Sequence, residues 1–205
     1  MKNIKAWIFD WDGIFNDGHK GHDGSNTFCE RDSMATNMMR FAHYLRHDEI
    51  PFTAIVTGAT NPTPKFFAKR EHFNNIVPGA LYKRDVVEIL LNEWGIAPHE
   101  TAFVFDDVLD LNVAEIVGLR LQVRYQSSPY LNGFIDEHKL ADISTSLSGR
   151  DQAVRILLEY CISSLGLINE TTLARMHVNE TYQTYFNKRQ SIETKISTRA
   201  EMLAE

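Results

Sequence analysis

Two aspartates near the N-terminus stand at a spacing typical of a catalytic carboxylate pair. Asp10 and Asp12 directly follow the apolar stretch Ala6–Phe9 and precede Gly13. A strand leaving a buried sheet has no structural need for two negative charges, and burying them without partners is costly. We therefore expect a cation and a reacting group to meet these carboxylates.

More polar residues follow other apolar stretches of strand length. Thr57 and Gly58 follow the second stretch, and Asp106 and Asp107 follow the fourth, with Asp110 close behind. In an open parallel sheet, the carboxyl ends of the strands form one edge, and ligands bind there. The sequence thus predicts that several carboxylates and a hydroxyl group meet at that edge.

These residue types predict a metal and phosphate site. Oxygen ligands without histidine or cysteine favour a hard cation, Mg²⁺ before Zn²⁺. Lys83 opens a predicted helix near the same edge and, with the Thr57 hydroxyl, could neutralise and bind phosphoryl oxygens. Of Asp10 and Asp12, one carboxylate could attack phosphorus, while the other protonates the leaving group and then activates water.

Apolar stretches of strand length alternate with segments of helical periodicity along the chain. The strand stretches are continuous rather than alternating, as expected for strands covered on both faces. This order predicts an α/β fold with a parallel central sheet. Strands are predicted at 5–9, 53–56, 75–77, 101–105 and 119–123, and helices at 32–46, 83–94 and 150–165.

The composition favours small-molecule chemistry. With 205 residues and 43% hydrophobic content, the chain suits one domain with a sizeable core. A net charge of −6 offers no basic surface for nucleic acid, and we expect neither a membrane span nor a signal peptide. A cytoplasmic location is therefore expected, with Cys29 and Cys161 as free thiols.

The C-terminal segment 167–205 differs in character from the rest. From Thr171 onward it is polar and helix-forming, without proline or glycine, and its apolar residues are loosely spaced for one helix face. We expect a helical extension packed along its own domain or along a neighbouring subunit.

The motifs, in their order along the chain, resemble the four motifs of the haloacid dehalogenase superfamily of Mg²⁺-dependent phosphatases. The resemblance narrows to the branch of 3-deoxy-octulosonate 8-phosphate phosphatases and covers about residues 3–166. It is carried by the aspartate pair, Thr57, Lys83 and the acidic group at 106–110, and within the branch by segments 12–18, 28–33, 56–58, 141–143 and 153–155.

This resemblance implies a Rossmann-like, three-layer domain over residues 1–166 without a large cap domain. It also implies a homo-oligomer, a tetramer in which a neighbouring subunit helps to close each site. The 39 residues between Asp17 and Thr57 are too few for a cap domain in addition to the predicted helix. A small β-hairpin flap over about 18–28 fits this length.

By resemblance, Asp10 is the nucleophile, and Asp12 is the general acid and base. Both would contact Mg²⁺, Asp12 through its main-chain carbonyl. Asp106 would be a further metal ligand, with Asp107 or Asp110 in support. Alone, Asp110 could equally be a residue favoured at a helix start.

The remaining predicted site residues contact phosphate or substrate. Thr57, Gly58 and Lys83 would hold the phosphate, although Thr57 alone is more often a strand-end cap and a lone lysine is usually a surface residue. Arg31 could orient the flap or contact the substrate, and the adjacent Asp32 would serve well as a helix N-cap.

Two positions depart from the pattern of the branch. Phe105 stands where a glycine usually precedes the acidic pair, and Ala59 stands where an arginine often follows Thr-Gly. Neither change removes a catalytic group. We expect both to alter the shape and charge of the pocket mouth.

Three functions compete at this point. The first is a phosphomonoesterase for a small phosphorylated metabolite, such as a sugar or sugar-acid phosphate. The second is a phospho-aspartate signalling module, although such modules carry the acidic pair on the first strand and the phosphorylated aspartate later. The third is a catalytically weak scaffold that assembles through its C-terminal segment.

Overall fold

A seven-stranded parallel sheet forms the centre of the structure, a computed structural model that describes residues 3–204. Its strands are β1 (Ala6–Phe9), β2 (Phe52–Val56), β3 (Asn75–Val77), β4 (Thr101–Phe105), β5 (Leu119–Val123), β6 (Ile143–Thr145) and β7 (Lys195–Ile196). They lie in the order β6-β5-β4-β1-β2-β3-β7, and neighbouring strands are parallel throughout. The five predicted strands are confirmed, with β1 at the centre.

Helices cover both faces of the sheet. They are α1 (Glu30–His47), α2 (Thr63–Arg70), α3 (Lys83–Trp94), α4 (Leu111–Ala114), α5 (Pro129–Glu137), α6 (Ala153–Ser164), α7 (Ile168–His177), α8 (Glu180–Gln190) and α9 (Arg199–Met202). The predicted helices at 32–46, 83–94 and 150–165 correspond to α1, α3 and α6. The predicted α/β class is confirmed.

The central strand shows why the sheet must be covered on both faces. Its residues alternate between two apolar clusters: Trp7 and Phe9 pack with α1, α2 and α6, whereas Ala6 and Ile8 pack with α3 and α4. All four side chains are buried. Successive side chains of a strand point to opposite faces, so a continuous apolar strand needs a helical layer on each side.

The segment 18–28 lies where the flap was predicted, but the predicted β-hairpin is wrong. This segment contains no strand and forms an irregular loop, closed by a turn in which Gly21 N donates to Ser25 O at 2.8 Å. Gly18 and Gly24 have positive φ angles of 78° and 77°. The segment offers few β-branched or aromatic residues for cross-strand pairs, which stabilise a hairpin.

The C-terminal extension packs along its own domain, one of the two placements expected. Helices α7 and α8 pack on α1, β7 pairs with β3, and α9 packs against α3. Arg199 in α9 forms an ion pair with Asp85 in α3, with Nε 3.0 Å from Oδ2. The extension thus supplies an edge strand to the sheet as well as a helical layer.

A buried asparagine fixes how α8 sits on α1. Asn37 Nδ2 donates to the Tyr182 hydroxyl at 2.9 Å, and the Tyr185 hydroxyl donates to the Asn37 main-chain oxygen at 3.0 Å. Arg189 Nη1 donates to Asn37 Oδ1 at 2.9 Å. Because buried polar groups need partners, this network specifies one register between the two helices.

Three other features bear on the predictions. Cys29 and Cys161 are free thiols, as predicted.

Asp32 lies within α1 and accepts a hydrogen bond from Arg155 N at 2.8 Å, so it caps the start of α6 instead of α1. Within residues 3–204, no helix combines the length and the apolar character needed to cross a membrane.

Replacing Tyr185 with alanine should destabilise the whole domain. Its side chain is fully buried between α8 and α1, and truncation of a buried aromatic residue typically costs about 3–5 kcal/mol. Tyr130→Ala is the matched control, because Tyr130 is 93% exposed and such changes usually stay within about 0.5 kcal/mol. Urea denaturation measures both. Equal stability of the two variants would show that the extension does not pack on α1.

Candidate metal and phosphate site

Three adjacent strands end at one cavity. Phe9 of β1 lies opposite Ile55 of β2 and Val104 of β4, so the residues after these strands share one edge of the sheet. The cavity there has a volume of about 530 Å³, within the range of small-molecule sites. Its lining includes nearly all of the predicted site residues, namely Asp10, Asp12, Thr57, Gly58, Lys83, Asp106, Asp107 and Asp110.

A buried lysine joins two of the carboxylates. Lys83 Nζ lies 2.6 Å from Asp10 Oδ1 and 2.5 Å from Asp110 Oδ1. Burial disfavours the Lys83 ammonium, but the two carboxylates outweigh that effect and raise the pKa of Lys83. The first turn of a helix favours anions over cations. At the start of α3, Lys83 therefore stabilises the two carboxylates and does not stabilise the helix.

Asp110 organises the loop after β4. Its Oδ2 accepts hydrogen bonds from Asp106 N at 3.4 Å and Asp107 N at 3.3 Å, while Oδ1 contacts Lys83. The side chain is fully buried. Asp110 thus ties the loop that carries Asp106 to the lysine that contacts Asp10.

Gly13 allows the two strand ends to approach each other. Its φ angle is +82°, and a Cβ atom at this position would lie 2.0 Å from Asp106 Oδ2. Any larger residue would combine backbone strain with a direct clash. The glycine after the aspartate pair is therefore required by the position of Asp106.

The carboxylates of Asp10, Asp106 and Asp110 outnumber the buried Lys83 that lies among them. Burial, then the nearby Asp10 and Asp110 carboxylates, raise the pKa of Asp106 to about 9. Burial also raises the pKa of Asp10 to about 7, although Lys83 opposes the shift. Burial and the neighbouring carboxylates thus make the ionised forms of Asp10 and Asp106 unfavourable without a further cation.

The cluster fits a hard cation. Asp10, Asp106 and Asp110 each offer a carboxylate oxygen within 4.8 Å of the others. Asp106 Oδ1 is buried and has no hydrogen-bond partner among residues 3–204, which is unusual for a buried polar atom. Oxygen donors without histidine or cysteine suit Mg²⁺.

Two predicted residues differ from Asp10 and Asp106 in their surroundings. Asp107 is exposed, and its Oδ1 accepts from Val108 N at 2.7 Å, which caps a short 3₁₀ turn. Asp110, and not Asp107, therefore lies within the carboxylate cluster. Arg31 is exposed on the first turn of α1 and is not brought to the cavity lining.

Thr57 and Gly58 line the same cavity as Lys83, as expected for a phosphate site. The Thr57 side chain is buried at the end of β2, and its Oγ1 accepts a hydrogen bond from Ala59 N at 3.2 Å. The hydroxyl hydrogen of Thr57 can still be donated to a bound anion. Their role in phosphate binding stays a prediction.

The expected effect of the two departures on the pocket mouth is wrong for Phe105 and stays a prediction for Ala59. Phe103 and Phe105 point to the same face of β4, where their rings stack at 5.9 Å in the core. Phe105 is fully buried there, and neither it nor Ala59 belongs to the cavity lining that the structure describes. The alternation of side chains along a strand explains this placement.

Four polar residues near the cavity were missed by sequence reasoning. Tyr125 follows β5 and donates from its hydroxyl to Gly13 O at 2.8 Å, so the strand-end rule could have found it. Ser128 also lines the cavity. Lys20 and Asn26, in the loop 18–28, contact Asp12, and no motif marks them.

Comparison with known proteins finds relatives by sequence and by structure. No protein-family model matches the chain. The 3-deoxy-D-manno-octulosonate 8-phosphate phosphatase KdsC of Escherichia coli strain K12 is 27% identical over 177 residues, which span 82% of this chain and 85% of that protein. A probable YrbI family phosphatase from Pseudomonas syringae pv. phaseolica 1448A has a similar structure, with a TM-score of 0.70 and 27% identity over 85% of this chain and 94% of that chain.

A further solved structure shares the fold. It is the 3-deoxy-D-manno-octulosonate 8-phosphate phosphatase of Moraxella catarrhalis, in complex with magnesium ion, phosphate ion and a KDO molecule. It has a TM-score of 0.68 and 22% identity, and the match covers 84% of this chain and 94% of that chain. The chain also shares its fold with a putative haloacid dehalogenase (HAD) superfamily subfamily III A hydrolase from Legionella pneumophila, with a TM-score of 0.69 and 24% identity over 86% of this chain and 91% of that chain. The resemblance inferred from the motifs is thus confirmed in the haloacid dehalogenase fold, and the relatives that are 27% identical are phosphatases, which are phosphoric monoester hydrolases.

The raised pKa values predict how pH and Mg²⁺ affect stability. The pKa values of Asp10 and Asp106 lie above the ordinary 3.8, so both residues favour the fold most when protonated. Without metal, their contribution should be fully present below about pH 4 and be lost as the pH rises towards 9. A bound cation should reverse this loss, because it stabilises the ionised carboxylates.

Thermal denaturation with EDTA or with excess Mg²⁺ measures this effect. At hundredfold excess over the dissociation constant, Mg²⁺ should add about 2.7 kcal/mol, or roughly 5–10 °C in Tm. The shift should be larger near pH 9 than near pH 5 and should disappear in Asp106→Asn. Asp136→Asn, which removes an exposed carboxylate paired with Arg124, should keep it. A shift that persists in Asp106→Asn would place the metal elsewhere.

Proposed function

We propose that this chain is a Mg²⁺-dependent phosphomonoesterase that hydrolyses a small phosphorylated sugar or sugar acid through an aspartyl phosphate. The central observation is the cluster of Asp10, Asp106 and Asp110, in which the buried Lys83 contacts Asp10 and Asp110. A carboxylate cluster with one lysine and an unpartnered oxygen suits a cation together with an anionic substrate. Thr57, at the end of the adjacent strand, suits the same anion.

Asp10 is proposed to supply the nucleophile. With Oδ1 held by Lys83, the carboxylate is fixed and one oxygen remains for attack on phosphorus. A bond forms between that oxygen and phosphorus, and the bond from phosphorus to the ester oxygen breaks. Lys83, Thr57 and the nearby main-chain N–H groups would hold the phosphoryl oxygens during this transfer.

Asp12 is proposed to move the proton. It donates a proton to the departing ester oxygen, so that the product leaves as an alcohol. As a carboxylate, it then takes a proton from water, which attacks the phosphorus of the aspartyl phosphate and releases inorganic phosphate with Asp10 restored. The spacing of Asp10 and Asp12 separates these two tasks.

Asp10 and Asp106 are proposed to hold Mg²⁺, together with the main-chain carbonyl of Asp12. When bound, the cation would neutralise the phosphoryl charge during transfer. The buried, unpartnered Oδ1 of Asp106 supports this assignment. Asp110 would support the site by keeping Lys83 and the loop after β4 in place.

The choice of a sugar or sugar-acid phosphate rests on the sequence relatives, which are named for 3-deoxy-D-manno-octulosonate 8-phosphate, and on the cavity volume. Small phosphorylated metabolites fit a cavity of this size. A homo-oligomer, such as the tetramer that the resemblance implies, stays a prediction.

Phosphate release from a panel of phosphorylated sugars, sugar acids and nucleotides tests the proposal. Turnover should require Mg²⁺ and should fall by at least about 10³-fold in Asp10→Asn, because that variant lacks the nucleophile. Asp23→Asn is the control, since Asp23 is an exposed carboxylate in the nearby loop. Mg²⁺-independent turnover, or full activity in Asp10→Asn, would refute the mechanism.

A further inference from the structure

Both oxygens of the Asp12 carboxylate contact the loop 18–28. Asn26 Nδ2 donates to Asp12 Oδ1 at 2.6 Å, and Lys20 Nζ lies 2.9 Å from Oδ2. The Lys20 side chain is 39% exposed, whereas Asn26 is partly buried and makes further contacts with the domain. One oxygen of Asp12 therefore has a partner that is fixed to the domain, and the other has a partner with a solvent-exposed side chain.

Trp11 determines which way the Asn26 amide points. Its Nε1 donates to Asn26 Oδ1 at 2.8 Å. An indole N–H can only donate, so the amide oxygen must face Trp11 and the amide nitrogen must face Asp12. The Trp11 side chain is fully buried, and a buried indole needs such an acceptor.

The main chain of Asn26 is also fixed to the domain. Thr63 Oγ1, at the start of α2, donates to Asn26 O at 2.9 Å. Two residues further on, the Phe28 ring packs edge-on against Phe67 at 5.0 Å. Although Asn26 belongs to an irregular loop, its position is set by α2 and the apolar cluster beneath it.

We propose that Asn26 is a positioning residue for proton transfer by Asp12, and that Trp11 acts through Asn26 by fixing the orientation of its amide. This inference rests on the proposed phosphatase function. The hydrogen bond from Asn26 holds Oδ1, which leaves Oδ2 as the oxygen that carries the proton to the ester oxygen. Lys20, the other partner, contacts Oδ2 from a side chain that is 39% exposed.

The contact between Asn26 and Asp12 should matter in the first half of the reaction, in which the phosphoryl group moves to Asp10. When Asp10 attacks phosphorus, the ester oxygen takes the electron pair of the broken bond and receives the proton of Asp12. A leaving group that is stable as an anion needs that proton little, whereas a poor leaving group depends on it. Loss of the Asn26 contact should therefore slow esters of poor leaving groups selectively.

Two aryl phosphates of similar size provide the test. With Mg²⁺ and the full chain, kcat/KM is measured for phenyl phosphate, a poor leaving group, and for p-nitrophenyl phosphate, a good one. This parameter covers the steps up to transfer of the phosphoryl group to Asp10, so later hydrolysis does not enter. The variants are Asn26→Ala and Trp11→Phe, which keeps an aromatic ring but removes the N–H donor.

Both variants should lose roughly tenfold to hundredfold in kcat/KM on phenyl phosphate, part of the usual contribution of a general acid, and less than about threefold on p-nitrophenyl phosphate. Ser25→Ala is the matched control, because Ser25 Oγ donates to Asp23 in the same loop. It should behave as the unmodified protein on both esters.

Equal losses on the two esters, or no loss on either, would overturn the role of Asn26. If Trp11→Phe fails to fold, Asn26→Ala decides alone. Absence of phosphate release by the unmodified protein from both esters and from every member of the panel of phosphorylated sugars, sugar acids and nucleotides would instead overturn the proposed function, and this inference with it.

Discussion

The contact of one buried ammonium group with two carboxylates holds the candidate site together. Lys83 joins Asp10, at the end of the central strand, to Asp110, which in turn binds the loop that carries Asp106. Removing one partner of such a buried group would leave uncompensated charge, which is strongly destabilising. The relative positions of the end of β1, the start of α3 and the loop after β4 thus depend on the Lys83 side chain.

The same arrangement of charges suits a bound cation. A single lysine neutralises only part of the carboxylate charge, and burial raises the pKa of Asp106 to about 9. Gly13 permits the close approach that creates this excess of negative charge. The fold therefore tolerates a locally unfavourable cluster of carboxylates, and a cation would supply the positive charge that the cluster lacks. Such local conflicts are common where structure is adapted to function.

Sequence reasoning reached the sheet and much of the site because both follow simple rules. Apolar stretches predicted five strands, and the rule that strand ends share one edge brought Asp10, Thr57 and Asp106 together. Single residues were harder. The hairpin failed because glycine-rich loops lack cross-strand pairs, and Phe105 was misjudged because its face depends on the register of β4.

Other contacts could not be predicted because they are formed only in three dimensions. Asn26 and Lys20 reach Asp12 from an irregular loop whose path no periodicity describes. The three partners of Asp110, namely Lys83 and the main-chain N–H groups of Asp106 and Asp107, became apparent only once α3 and the loop after β4 were placed. Local patterns identified the reacting groups, whereas the residues that orient them depended on tertiary packing.

The most direct measurement is a crystal structure with Mg²⁺ and beryllofluoride, which mimics a phosphoryl group bonded to a carboxylate. The account predicts beryllium bonded to an oxygen of Asp10, the metal ion between Asp10 and Asp106, and Lys83 still in contact with Asp110. Beryllofluoride bonded to another residue, or a metal ion bound away from Asp106, would contradict it.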